Sequence, residues 1–115
     1  MQKNIYGKRS EIIASDFLKQ KGYKIIEVNY KNKIGEIDII AQDGEYLVFV
    51  EVKARLSKSF GNPLEAIDYK KQQKIRQVAS LYLMKKRKID NLSRFDALSI
   101  IGIEDPQIDH IIDAF

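Results

Sequence analysis

At 115 residues and 44% hydrophobic, the chain is sized for a single domain over residues 1–115 with one modest core. Lys and Arg number 20 against 16 Asp and Glu, a net charge of +4 that suits a polyanionic partner without demanding one. The lack of cysteine excludes disulfides and thiolate metal sites. No apolar run approaches the roughly 18 residues of a membrane helix, and Met1 to Arg9 has no signal-peptide core, so a cytoplasmic domain that does not enter a membrane is expected.

The first periodic segment predicts a helix from about Ser10 to Lys21, with Ile13, Ala14, Phe17 and Leu18 on one face and Gly22 as its stop. Tyr23 to Tyr30 is rich in β-branched and aromatic residues and reads as a strand, and Lys31-Asn32-Lys33 reads as a turn. Glu36 to Gln42 and Tyr46 to Ala54 are two further strands around an Asp43-Gly44 hairpin turn. After a loop with Ser57, Ser59, Gly61 and Asn62, the run Asn62-Pro63-Leu64-Glu65 has the form of a helix start: a cap, a proline, then an acid. That helix is expected to reach about Met84, with Leu64, Ile67, Ile75, Val78, Ala79 and Tyr82 as its buried stripe. Arg94 to Ile103 and Ile108 to Ile112 are strands around a turn at Glu104-Asp105-Pro106. The order αβββαββ predicts an α/β fold, a mixed central sheet flanked by helices.

Chemistry concentrates on the second and third strands. Strand side chains alternate faces, so Glu51 and Lys53 should share a face with Leu47 and Phe49, and Glu36 should share one with Asp38. A tight hairpin brings Asp38 beside Glu51. Two carboxylates that close repel and need a cation. A hard divalent ion, Mg²⁺ or Mn²⁺, meets that need and leaves room for phosphate oxygens, which points to phosphodiester hydrolysis with Lys53 assisting the nucleophile. A surface hairpin with Glu51 and Lys53 as an ion pair would give the same spacing. The apolar flanks Leu47-Val48-Phe49-Val50 and Val52 weigh towards a site, since charges there are costly unless compensated.

Other candidates each have two readings. Glu11, about a quarter turn from the apolar stripe of the first helix, either looks towards the metal or is a solvated acid near a helix start. Lys71 projects inside the stripe of the second helix, so it either snorkels or aims its amine at an anion. Arg55, Lys58, Lys31, Lys33 and Lys85-Lys86-Arg87-Lys88 either hold phosphates or are solvated charge. Arg94 with Asp96 reads as a structural pair. His110 is the single histidine and is taken as structural or surface.

Gly35-Glu36-Ile37-Asp38, Val48-Phe49-Val50-Glu51-Val52-Lys53-Ala54-Arg55, Phe60-Gly61, Lys71-Gln72, Arg94-Phe95-Asp96, His110 and Ala114-Phe115 together resemble the bacterial UPF0102 or YraN-like family. The resemblance runs from about Gly7 to Phe115. It implies membership of the PD-(D/E)xK nuclease superfamily, near the archaeal Holliday-junction resolvases, with a restriction-endonuclease-like αβββαβ core. By position it implies Asp38 and Glu51 as metal ligands, Lys53 as the catalytic lysine, Glu11 as a further ligand and the main-chain carbonyl of Val52 as another. Ile37 stands where the superfamily's name has proline. The implied function is a metal-dependent DNA endonuclease in repair or recombination, acting on branched DNA as a homodimer, with Arg55, Lys71 and the Ser57–Asn62 loop on DNA phosphates. The rival expectations are a non-catalytic nucleic-acid-binding module and a basic accessory protein of the same fold.

Overall fold

The computed structural model describes residues 2–57 and 63–115, with side chains described from Gly7 onward and not for Pro63. Its elements are α1 (Gln2–Gln20), β1 (Lys24–Lys31), β2 (Glu36–Asp43), β3 (Tyr46–Arg55), a 3₁₀ turn (Pro63–Ala66), α2 (Tyr69–Lys85), β4 (Leu92–Ile101) and β5 (Gln107–Ile111). The five strands form one sheet in sequence order. All neighbours are antiparallel except β3 and β4, which run parallel with α2 in the connection between them. This mixed α/β architecture is compatible with a restriction-endonuclease-like core, to which β5 adds an edge strand.

Two apolar clusters sit on opposite faces of the sheet. Ala14 and Leu18 of α1 pack with Ile39, Ala41, Val48, Val50, Leu98 and Ile100. Ile75, Val78, Ala79 and Tyr82 of α2 pack with Ile37, Ile40, Leu47 and Phe49. β3 supplies alternate residues to the two clusters, as the pleat requires. It is buried on both faces, which is why it reads as a nearly unbroken apolar run.

Three sequence expectations need correction. The first helix begins before Ser10, at Gln2. The second helix does not start at Asn62-Pro63; Asn62 lies outside the described residues, and Pro63–Ala66 closes only a 3₁₀ turn. The α-helix starts after Asp68, whose carboxylate accepts a hydrogen bond from the Lys71 amide at 2.8 Å and so caps it. Ile67 is buried but precedes this helix. Alternation on β2 is also interrupted. Ile37 belongs to the cluster under α2 and Ile39 to the one under α1, so the regular pleat that would place Glu36 and Asp38 on one face is broken between them. Opposite this break, between Val28↔Ile39 and Tyr30↔Ile37, Asn29 takes a φ of 55°.

Gly35 allows α2 to approach the start of β2. A Cβ there would come within 3.2 Å of Val78 Cγ2. Asn32 helps hold the same junction, donating from Nδ2 to the Val78 carbonyl at 3.2 Å.

Candidate active site

The β2–β3 ladder ends at Ile39↔Val50. Asp38 comes next, and its side chain takes over from the main chain. Oδ2 accepts a 2.7 Å hydrogen bond from the Val52 amide, one residue beyond Glu51. The carboxylate thus satisfies a strand donor that the diverging β2 backbone no longer meets.

Glu51 belongs to the β3 face that carries Leu47 and Phe49, and is 5% exposed. Lys53 follows two residues later, half-buried. Asp38 has its pKa pushed up to about 8. The causes, in order, are burial and the hydrogen bond and charge of Glu51, partly offset by the Val52 amide and by Lys53. Burial and the neighbouring Glu51 carboxylate thus both disfavour the charged form of Asp38. The spacing in sequence led to this pairing, and the structure brings Asp38, Glu51 and Lys53 together.

Lys71 joins them from α2. Its Nζ lies 3.3 Å from Glu51 Oε2. The contact supplies charge but not a well-directed hydrogen bond: Glu51 Oε2 is buried with no hydrogen-bond partner. The anion towards which the helical projection aims Lys71 is thus a carboxylate of the chain itself. Beside Lys53 stands a residue that sequence reasoning missed. Ser99 on β4 pairs in register with Lys53, as Ala97 does with Glu51. Its Oγ is also buried without a partner. Glu51 Oε2 and Ser99 Oγ are the two such side-chain atoms among the described residues, and strand alternation places both on the α2 face. A serine in an apolar strand has no sequence signal that separates it from a satisfied one; only the parallel β3–β4 register puts it beside Lys53.

This donor set suits a hard divalent cation. Asp38 and Glu51 provide carboxylate oxygens, Glu51 Oε2 lacks a hydrogen bond, and the nearest positive charge is a lysine that can be displaced. Among the described residues no group of three acidic, histidine or cysteine side chains forms a ready-made cation cage. Glu11 is consequently not joined to Asp38 and Glu51 as a third acidic ligand. Its helix packs on the sheet face of Val48 and Val50, whereas Glu51 projects from the other. Arg55, half-buried at the end of β3, donates from Nη1 to the Ala54 carbonyl at 3.0 Å. Of the Ser57–Asn62 loop only Ser57 is among the described residues.

The model of the uncharacterised protein family UPF0102 matches residues 10–100. That span includes every residue of the cluster. The chain belongs to the UPF0102 family. A UPF0102 protein of Alkaliphilus metalliredigens is 45% identical over 109 residues, covering 95% of this chain and 96% of its own. One from Thermodesulfovibrio yellowstonii is 48% identical with coverage of 95% and 94%, and one from Caldanaerobacter subterraneus is 42% identical with coverage of 100% and 98%.

This UPF0102 chain has a second charged cluster, at the start of β4. Arg94 donates from Nε to Asp96 Oδ1 at 2.9 Å and from Nη2 to Oδ2 at 3.0 Å. It also reaches Asp43 at 3.0 Å and the Tyr23 hydroxyl at 2.6 Å. His110 Nε2 lies 2.8 Å from Asp96 Oδ2, and the Asp113 amide donates to Oδ1 at 3.1 Å. Burial alone would raise the Asp96 pKa. The hydrogen bonds from His110, Arg94 and Asp113 outweigh it and hold the carboxyl at about 2. The Arg94–Asp96 pair expected from sequence is there, and His110 is structural; Tyr23 and Asp43 complete it. No helix among the described residues is long and apolar enough to cross a membrane.

Proposed function

We infer that this protein is a divalent-cation-dependent endonuclease that hydrolyses phosphodiester bonds in DNA, with branched DNA such as a four-way junction as its substrate. The observation that carries the reading is the pairing of half-buried Asp38 with buried Glu51, flanked by Lys53 and Lys71, with one Glu51 oxygen left without a hydrogen bond. Asp38 and Glu51 would hold Mg²⁺ or Mn²⁺, with the Val52 carbonyl as a further oxygen. A cation so held supplies charge neutralisation at the phosphate and a more acidic water.

The protein's own side chains do the remainder. The Val52 amide fixes one Asp38 oxygen and so orients the carboxylate. Lys53 lies close enough to Asp38 to lower its pKa. From there its ammonium stabilises charge that develops on the phosphate oxygens. Ser99 Oγ, buried beside Lys53, can orient a water or a phosphate oxygen. Lys71 and Arg55 contribute positive charge for the backbone of the nucleic acid. A four-way junction needs two symmetric cuts, so the reading extends to a homodimer.

The test is cleavage of synthetic four-way junctions with Mn²⁺ and with a chelator. Asp38→Ala and Lys53→Ala should abolish cleavage while circular dichroism stays unchanged. Cleavage at wild-type rate in both variants would refute the assignment. One observation favours a structural reading instead: Glu51 already has Lys71 as a counter-charge. Under that reading Glu51→Gln lowers stability and leaves DNA affinity and cation uptake unchanged.

A further inference from the structure

The outer face of α2 carries features that the carboxylate pair does not use. The helix Tyr69–Lys85 contains four lysines and one arginine and no acid. Its first half, together with the capping Asp68, lines a groove of about 710 Å³ to which it contributes Tyr69, three lysines and two glutamines. Lys70 and Lys74 are exposed and form no ion pair among the described residues. The end of the helix does not supply the charge, because Asp68 caps it and occupies the Lys71 amide. The lysine side chains do.

Tyr69 distinguishes this groove from an ordinary basic surface. It is 73% exposed. Tyr23, Tyr30, Tyr46 and Tyr82 each meet another ring or a cationic side chain, whereas Tyr69 meets none among the described residues. A large ring left in water beside three lysines has the chemistry of a stacking platform. Lysines hold phosphates and the aromatic face takes a base. Bases inside a duplex are already stacked and do not offer that face. Lys71 joins the groove to the site: it lines the groove, and its Nζ is at Glu51.

We propose that the acid-free face of α2 is a track for an unpaired nucleic-acid strand, with Tyr69 stacking on a base and Lys70 and Lys74 holding the flanking phosphates, and that this track leads past Lys71 to Glu51. The proposal rests on the nuclease reading and, among branched substrates, favours those that carry an unpaired segment beside the branch over a fully paired junction.

The experiment is fluorescence anisotropy in EDTA, which separates binding from cleavage. The probes are labelled single-stranded 20-mers of DNA and of RNA, and the blunt DNA duplex of the same sequence. Wild type is expected to hold at least one single strand more tightly than the duplex. Tyr69→Ala should weaken single-strand binding about tenfold and leave duplex binding unchanged, while Tyr69→Phe retains it. Lys70→Ala should weaken all probes and flatten the salt dependence. Whichever single strand loses more on Tyr69→Ala identifies the sugar that the track prefers. Single-strand binding unchanged in Tyr69→Ala, or as weak in Tyr69→Phe as in Tyr69→Ala, overturns the proposal. Mn²⁺ uptake measured separately distinguishes the failures: uptake with a silent Tyr69 sinks the track alone, and no uptake with no binding sinks the nuclease reading as well.

Discussion

Two aspartates on one sheet, Asp96 buried and Asp38 half-buried, have opposite electrostatics. Asp96 is 0% exposed, yet five donor groups surround it and its pKa is held at about 2. Asp38 accepts one backbone amide, faces a second carboxyl, and is pushed up to about 8. Burial acts in the same direction on both. What differs is the supply of donors. The Asp96 cluster completes its own hydrogen bonds, and so serves stability. The Asp38–Glu51 cluster does not, and in the proposed function a bound cation would correct that shortfall.

The sharpest way to break the contrast is Asp96→Ala. It leaves Arg94 without its bidentate partner and frees His110 and the Asp113 amide, so chemical denaturation should show a loss of about 3–5 kcal/mol. A loss under 1 kcal/mol would mean the network is not what holds β4 and β5 together.

Acid and base titrations should separate the clusters next. The Asp96 pKa is lower folded than unfolded, so its stabilisation is complete above about pH 4 and is lost as pH falls towards about 2, a change of about 2 kcal/mol. Asp38 has the opposite sign. Its folded pKa is raised, so its contribution is most favourable below about pH 4 and is lost as pH rises towards about 8. Melting temperature against pH should therefore rise from pH 2 to 4. Subtracting the Asp38→Asn curve from wild type should then expose a fall between pH 4 and 8. A flat difference in that upper window would contradict the raised Asp38.

Lys71→Met removes the counter-charge of a buried Glu51. It should cost about 1 kcal/mol by thermal melting in EDTA, and saturating Mn²⁺ should restore the loss. A loss that Mn²⁺ leaves untouched would separate Lys71 from the site. The smallest effect is expected at Glu36. It meets Lys31 at 3.8 Å with both side chains mostly exposed, and Glu36→Ala should change stability by under about 0.5 kcal/mol. A larger loss would mean the break in β2 draws Glu36 into the site.

Much of this architecture was legible because patterning and burial agree. The apolar run of β3, the Asp43-Gly44 turn and the stripe Ile75, Val78, Ala79, Tyr82 each led to the element observed. The helix start failed because two capping signals lie six residues apart. Asn62-Pro63 matches the pattern, yet the chain makes only a 3₁₀ turn at Pro63–Ala66 and Asp68 is the residue that caps α2. Within the site, Asp38, Glu51 and Lys53 were readable as charges in apolar strands. The break in β2 alternation was not, because it depends on a left-handed Asn29 across the ladder. Ser99 was not either, because its neighbour Lys53 is 46 positions away and the two meet only through the parallel register. Tyr23 and Asp43 were hidden for the same reason: Arg94 gathers them from separate strand ends.

Calorimetric titration of Mn²⁺ into wild type and Glu51→Gln, in parallel at pH 8, tests most directly whether the Asp38–Glu51 shortfall is a cation site. Wild type should show saturable uptake, and a folded Glu51→Gln at least a tenfold weaker affinity, since one carboxylate ligand is replaced by a neutral amide. Equal affinity in the two proteins, or no uptake by wild type, would contradict that assignment.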